Sequence, residues 1–450
     1  MSESTFRHTT KEARVPRLFK EAKKIVQKVR EEGGNFKGLV YESKGSKSKE
    51  GGGRLKALYA LVSETLRHGS ELDLILRNTQ ILMKEPRLDA WLARVLITQL
   101  LWRKQPLSSP ALPIKIILSY EAALRAQQEK LSSCISQTVS KKRPRYIRIN
   151  TLKTSEQEVV DFFVQDGWNE VWTKGTNDYA EFLTRVSSLS EKEFMRDMHI
   201  PNLLIFPDSV KFYDIKYYQD NYLILQDKAS CMSALLLDPK PGSVVLDMCA
   251  APGMKTTHAA ALLNNSGTLY AIEKNRGRYS SLCKVVSNSG ATCVKTILGC
   301  SINSDGLSLP NVEYILVDPS CSGSGMASRQ DVFNELDDIP KERLEKLAGF
   351  QSHILRHAMT NFPNAKRIVY STCSMCPEEN EAVIQNVLST TENFKPVSPD
   401  ICLQWMQKGS TSYKWGDFGF YARPEVNLTS GFFVAVFERT EHEYVPGEKL

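Results

Sequence analysis

The sequence predicts an α/β protein: a mostly parallel sheet with an antiparallel edge strand, preceded by a small α+β segment and an all-α region. Three observations carry this. Beyond residue 240, short apolar runs alternate with helical stretches, the pattern of a parallel sheet with crossover helices. Between residues 55 and 131 the pattern is almost wholly helical. The charge is unevenly shared as well: residues 1–150 hold 30 Lys and Arg against 14 Asp and Glu, whereas the rest hold 28 against 37, for a net +7. A basic front on a mildly acidic α/β remainder points to a polyanionic partner, with nucleic acid the leading candidate.

A chain of 450 residues exceeds one ordinary domain. No apolar run approaches the roughly 20 residues that span a bilayer, so no membrane partner is expected. The start Met1-Ser2-Glu3-Ser4-Thr5 is polar and lacks a secretory apolar segment. Ten scattered cysteines read as reduced thiols of an intracellular protein, expected to be a monomer.

Residues 16–32 read as a basic amphipathic helix. Leu18, Ala22, Ile25, Val26 and Val29 recur at helical spacing among lysines, and Gly33-Gly34 stops it. The Gly/Ser/Lys tract 43–54 reads as a flexible loop. Leu92, Val95, Leu96 and Leu100 share one helix face, and a further helix is expected over 114–128. Residues 141–151 pass from Lys141-Lys142-Arg143 into a strand with Arg145 or Arg148 exposed, suited to phosphate contact. Phe162, Phe163, Trp168 and Trp172 are expected mostly in a core, with base stacking as the alternative. A short helix follows Gln226-Asp227 and runs to Leu237.

The run 244–256 then matters most. Val244-Val245-Leu246-Asp247 ends in an acid, followed by Cys249, Ala250, Ala251, Pro252, Gly253, Met254 and Lys255, where a helix begins. Small residues let a ligand approach the backbone, and the helix start offers unpaired N–H groups. One glycine falls short of a dinucleotide fingerprint, and Met254 between Gly253 and Lys255 spoils a phosphate loop. S-adenosylmethionine fits better. A second strand, 267–273, ends in Glu273, placed to accept both ribose hydroxyls of an adenosine ligand. Arg278 could border the same pocket. The third strand, 292–297, has no acid after it where an adenine partner would stand; Asp305 is the nearest.

The fourth strand, 312–318, ends at Asp318 and leads to Cys321, and the fifth, 367–372, leads to Cys373. An apolar strand at 431–437 closes the sheet. Methylation of a pyrimidine at carbon 5 needs a thiolate to add to carbon 6, since carbon 5 is otherwise a poor nucleophile. A proton donor at N3 would stabilise the adduct, and Asp318, if protonated or sharing a proton, is placed for it. A second thiol could assist release. Chemistry alone does not choose between the two cysteines. Cys373 and Cys376 form a Cys-x-x-Cys pair, which is half a zinc site without a second half nearby, so no metal is expected.

Asp318-Pro319-Ser320-Cys321-Ser322-Gly323 and Ser371-Thr372-Cys373-Ser374, with residues 249–255, resemble the RsmB/NOP/Sun family of RNA cytosine-C5 methyltransferases. Arg148-Ile149-Asn150-Thr151-Leu152-Lys153, Gln226-Asp227 and Gly431-Phe432-Phe433 extend the resemblance in the family's order. It implies the class I S-adenosylmethionine-dependent methyltransferase fold. It implies Cys373 as nucleophile, Cys321 in product release, and residues 249–255, Glu273, Arg278 and Asp318 as the cofactor pocket. Ser320 departs from the commoner Asp-Pro-Pro-Cys and resembles the eukaryotic branch acting on large-subunit ribosomal RNA, whose members are nucleolar. The implied partner is ribosomal RNA or a pre-ribosomal particle. The expected organisation is a basic helical domain at 1–140, an RNA-binding α+β region at 141–235, the methyltransferase domain at 236–440 and a tail at 441–450. Two rival readings remain: an RNA-binding ribosome-assembly factor whose cofactor pocket is structural, and a methyltransferase for another RNA such as tRNA, or for protein side chains.

Overall fold

The computed structural model describes residues 13–32, 39–40, 52–103, 105–135, 143–171, 178–326 and 339–440. The expectations for Gly33-Gly34, 43–51, Lys141-Lys142, Trp172 and the tail lie outside the described residues. Residues up to Ser140 belong to one compact unit and those from Lys141 to Ala327 and beyond Leu336 to another. No helix among the described residues is long and apolar enough to cross a membrane.

The first unit is helical: α1 (Arg17–Glu32), α2 (Gly52–Arg67), α3 (Gly69–Thr79), α4 (Ala90–Leu101), α5 (Leu112–Ser119) and α6 (Glu121–Ile135). α1 buries Phe19, Ala22, Ile25, Val26 and Val29 while Lys20, Lys24 and Lys28 stay exposed, as its periodicity implies. α4 starts at Asp89, whose side chain accepts the Leu92 N–H at 2.8 Å. It buries Ala93, Ile97 and Thr98 besides its apolar stripe, so it is the central helix and not a one-faced one.

Two expectations change here. Residues 52–54 belong to α2 and not to the loop tract. The helix expected over 114–128 is two, broken at Tyr120 without a Gly or Pro: the Tyr120 N–H turns back to Ile117, and its carbonyl accepts Leu124 to open α6. The Tyr120 hydroxyl reaches Glu85 at 3.4 Å, a tertiary tie that overrides the local periodicity.

In the second unit a small sheet of order β2-β3-β4-β1-β5 comes first. Its strands are β1 (Arg145–Ile149), β2 (Asn169–Glu170), β3 (Glu193–Arg196), β4 (Leu203–Phe206) and β5 (Leu223–Leu225), with helices α7 (Glu156–Gln165) and α8 (Tyr179–Ser187) between them. Ile147, Phe163, Trp168, Phe194 and Phe206 form one core on this sheet, so those aromatics pack and do not stack on bases. Tyr146, Met195 and Ile205, offset by one residue and so on the opposite face, join a larger core with helix α9 (Lys228–Leu237). Arg145 is exposed. Arg148 is not: it is 1% accessible, contrary to a phosphate-contact role, because its guanidinium is taken up by Gln226 and by the helix after β6.

The main sheet runs β12-β13-β14-β10-β9-β6-β7-β8, β12 being the short edge strand Gln407–Lys408. β6 (Val244–Asp247), β7 (Thr268–Glu273), β8 (Val294–Leu298), β9 (Tyr314–Val317) and β10 (Arg367–Thr372) are parallel, and β14 (Phe432–Arg439) lies antiparallel on β10. β14 is not the edge, however: β13 (Gly419–Ala422) and β11 (Phe394–Val397) both pair with it. Both of its faces are apolar, Phe432, Val434 and Val436 on one side and Phe433, Ala435 and Phe437 on the other, so it is built for an interior place. Helices α10 (Met254–Leu262) and α11 (Arg276–Ser289) follow β6 and β7, and α12 (Lys341–Thr360) precedes β10. Strand order reverses between β6 and β9. Ligands of open α/β sheets bind at that crevice, at the carboxyl ends of the strands.

Candidate active site

The loop from β6 to α10 is held from inside. Asp247, 2% exposed, accepts the Thr256 hydroxyl at 2.7 Å and the Cys249 N–H at 3.3 Å. Burial pushes its carboxyl up to about 7; the Thr256 bond opposes this and the Asp318 charge adds to it. The Ala251–Pro252 peptide is cis, and Gly253 has φ 114°, a conformation that suits glycine alone at this close packing: a Cβ there would meet Val285 and Leu282 at 3.1–3.2 Å. Among the described residues, the N–H groups of Ala251, Met254 and Lys255 have no acceptor. Glu273, at the end of β7 and 4% exposed, accepts the Asn275 N–H at 2.7 Å and has Arg278 at 3.5 Å. Arg278 also donates to the Ala251 carbonyl, which ties this acid to the loop.

Lys255 reaches across the crevice to Asp318, Nζ to Oδ2 2.8 Å. The other Asp318 oxygen accepts the Ser371 hydroxyl at 2.7 Å, and Ser371 in turn accepts from Ser233 at 3.0 Å. Burial works against the Lys255 charge, but Asp318, with Cys373 and Asp247 beyond it, outweighs this and holds the ammonium above its usual range. Both Asp318 oxygens are therefore acceptors. Of the two forms expected of Asp318, protonated or sharing a proton, the geometry matches the second, with Lys255 as the donor.

The two thiols meet. Cys321 Sγ and Cys373 Sγ are 3.1 Å apart, on loops from the adjacent strands β9 and β10. The hydrogen bond to Cys373 is the first cause that raises the Cys321 thiol well above the ordinary range, followed by burial and by the charges of Cys373, Glu379 and Asp318. Cys373 beside it therefore makes the Cys321 thiol hold its proton more firmly. Cys376 takes no part in the pair; its Sγ faces the Ser324 hydroxyl at 3.6 Å. Asp305 sits in a turn with Ser308 and Leu307, its carboxylate accepting their N–H groups, and not as an adenine partner.

Behind the cysteines lies a group of residues that the sequence reading did not single out. Glu379 and Asn380, both fully buried, bond to the residues that flank Cys321 and Cys373. The signal for them is the acidic run Pro377-Glu378-Glu379-Asn380-Glu381 following the fifth strand, which composition alone reads as a solvated turn.

Three sequence families match in succession: the N-terminal domain of NOL1/NOP2/Sun domain family member 5 over residues 56–144, the ferredoxin-like domain of the same member over 143–226, and 16S rRNA methyltransferase RsmB/F over 234–438. The chain is 38% identical over 435 residues to a 28S rRNA (cytosine-C(5))-methyltransferase of Drosophila melanogaster, covering 95% of this chain and 96% of that one. The chain belongs to the RsmB/NOP/Sun family. Within the family it is also 35% identical over 455 residues to the 25S rRNA (cytosine-C(5))-methyltransferase rcm1 of Schizosaccharomyces pombe, covering 95% and 92%. Solved methyltransferase structures share its fold. A methyltransferase homologue from Pyrococcus horikoshii superimposes with TM-score 0.52 at 24% identity over 80% of this chain and 99% of that one. NSun6 from the same organism gives 0.51 at 20% identity over 70% and 95%.

Like its relatives, this RsmB/NOP/Sun chain is a class I S-adenosylmethionine-dependent methyltransferase, and the donor set at β6 and β7 fits that cofactor. The Glu273 carboxylate has lone pairs left for two hydroxyls, and the free N–H groups of the 249–255 loop face the same strand ends.

Proposed function

We propose that this protein methylates carbon 5 of one cytosine in large-subunit ribosomal RNA, through a covalent bond from Cys373 to cytosine C6. The observation that carries the reading is the pair of thiols 3.1 Å apart beside the Lys255–Asp318 ion pair. When bound, S-adenosylmethionine supplies an electrophilic methyl group. Residues 249–255, Glu273 and Arg278 would hold it: the acid on the ribose hydroxyls, the loop N–H groups on the polar end.

The cytosine must leave its stack to enter the crevice. Asp318 then accepts from the exocyclic amine, and the neighbouring Lys255 ammonium faces N3, where negative charge develops as the Cys373 thiolate adds to C6. Cys321 changes character as this happens. The bond to the Cys373 sulfur and that sulfur's charge hold the Cys321 proton in place, and both are lost once the sulfur is bonded to carbon. Freed of them, Cys321 can release its proton to water in the crevice and, as a thiolate, take the C5 proton, so that Cys373 leaves as a thiolate.

Arg145, exposed on β1, and the basic α1 face are the phosphate contacts of this reading, with residues 141–235 as the RNA-binding region and 1–140 as a docking domain in the nucleolus. Cys373→Ala should abolish methylation while cofactor binding persists. Cys321→Ala should accumulate a protein–RNA adduct that survives denaturing electrophoresis. Bisulfite sequencing of ribosomal RNA made with and without the protein should show one cytosine changing; normal methylation by Cys373→Ala sinks the proposal.

A further inference from the structure

Cys321 and Cys373 stand on loops from different strands, so their 3.1 Å separation must be set by something that holds loop to loop. The covalent chain does not do this. Between the two cysteines lie 51 residues, including all of α12.

We propose that Glu379 is the positioning residue that sets the spacing of the two thiols. Its side chain has no solvent access. One oxygen accepts the N–H of Ser322, the residue after Cys321, at 2.9 Å. The other accepts the hydroxyl of Ser374, the residue after Cys373, at 2.6 Å. A third donor, Gln351 Nε2, reaches the first oxygen at 2.9 Å and also holds the Ser320 carbonyl at 3.1 Å, so both neighbours of Cys321 are tied to one centre. All three partners donate, which calls for an acceptor without a proton of its own, namely a carboxylate. A buried carboxylate is unfavourable unless its lone pairs are met. Here they are met only when both cysteine loops are in place, so the preference for that state is built into the acid.

Other bonds join the same loops. The Gly325 N–H meets the Cys373 carbonyl at 2.9 Å, and the Met375 N–H meets the Ser324 hydroxyl at 2.9 Å, neither touching a neighbour of Cys321. The Ser322 hydroxyl donates directly to the Ser374 hydroxyl at 3.1 Å, a single neutral bond that runs beside the Glu379 bridge. Asn380 accepts from Thr372 at 2.6 Å and donates to the Ser374 carbonyl at 2.9 Å, bracing the Cys373 loop alone. Glu379 differs from all of these in gathering three donors on one carboxylate: the Ser322 N–H, the Ser374 hydroxyl and the Gln351 amide that also holds Ser320.

Thiol spacing can be read without RNA or cofactor by oxidising the full-length protein with diamide. The two thiols lose two protons and two electrons in forming a disulfide, and diamide takes them up to become the hydrazine. The Cys321–Cys373 disulfide is followed by non-reducing peptide mapping. We expect fast formation in the natural protein and a rate lower by roughly tenfold to a hundredfold in E379A, since about 1 Å of misplacement can cost a hundredfold. E379Q keeps one acceptor oxygen and should fall between, and it carries the test if E379A fails to fold; S374A removes one of the three donors together with the Ser322 hydroxyl bond and should slow the reaction as well. Thermal unfolding and cofactor binding establish which variants are folded. A folded E379Q or E379A that forms the disulfide within twofold of the natural rate overturns the proposal.

A second readout rests on the catalytic reading given above. With RNA, E379Q should raise the ratio of trapped adduct to released product, because Cys321 no longer meets the C5 proton squarely. If diamide separates the variants as expected while none forms an adduct, the positioning role stands and the covalent reaction falls.

Discussion

Lys255→Met keeps the length and apolar stem of the side chain and removes its charge. The lost bond is 2.8 Å long between side chains 15% and 26% exposed. A hydrogen bond to a charged group is worth about 1.5–3 kcal/mol, and partial exposure places this one near the lower end, about 1.5–2 kcal/mol. If the bond is needed in the transition state, methyl transfer slows by roughly ten- to thirtyfold. A second effect depends on pH. The Cys373 charge helps to hold the Lys255 ammonium above its usual range, and the coupling is mutual, so Lys255 favours the thiolate of Cys373. Without the lysine, more alkaline conditions are needed to ionise the thiol, and the acid limb of the pH–rate profile should move to higher pH.

The two effects separate on a single-turnover assay of labelled methyl transfer to an RNA transcript between pH 6 and 9. At the acid end of the range the loss should exceed roughly ten- to thirtyfold, both effects acting. Toward the alkaline end, where a larger share of the thiol is ionised in both proteins, it should shrink toward roughly ten- to thirtyfold. An equal loss at both ends of the range, with an unmoved acid limb, refutes the coupling between Lys255 and Cys373. A rate within twofold throughout refutes the catalytic place of the ion pair altogether.

Glu273→Ala removes the acid expected to accept two ribose hydroxyls; calorimetry should show S-adenosylmethionine binding weaker by roughly thirtyfold or more, on about 2 kcal/mol or more of lost bonding. Asp247, whose carboxyl is pushed up to about 7 by burial, takes up a proton on folding. Its contribution is therefore complete below about pH 4 and lost as pH rises to about 7, and Asp247→Asn should flatten that part of the urea-unfolding stability profile. Gly325→Ala sets a Cβ about 2.4 Å from the Gly431 carbonyl oxygen. This overpacking should cost about 1–3 kcal/mol and lower the thermal midpoint by about 2–4 °C for each of them; an unchanged midpoint means the two glycines do not cross so closely.

The strand ends were legible because parallel strands put every carboxyl-terminal residue on one side of the sheet. β9 and β10 pair from Arg367 opposite Tyr314 to Tyr370 opposite Val317, so the loops with Cys321 and Cys373 leave the sheet together. Strand order and motif spacing are enough to infer that much. Glu379 was not legible, since three charged residues in a run of five read as solvated. Its burial depends on Ser322 and Gln351, 57 and 28 residues away, and no local pattern reports such partners. β14 misled for a related reason: an apolar strand after a helix-rich stretch suits an edge or an interior place equally, and only the pairing of β11 and β13 decides.

Arg148 shows how far such partners can change a residue's meaning. On β1 it follows basic residues and precedes Ile149 and Asn150, and strand alternation leaves it a choice of faces. In the fold, its guanidinium donates to Gln226 at 2.7 Å and to Thr257 at 3.1 Å, and approaches the Met254 carbonyl at 3.5 Å. Burial lowers its pKa to about 10, so it stays charged at neutral pH. A charge so placed is most favourable while the α10 start and the small sheet remain docked, because parting them takes away Thr257 and Met254 and leaves only Gln226. α10 carries Lys255, and its first turn closes the 249–255 loop. The small sheet therefore does more than precede the methyltransferase sheet: through Arg148 it fixes the helix from which Lys255 reaches Asp318.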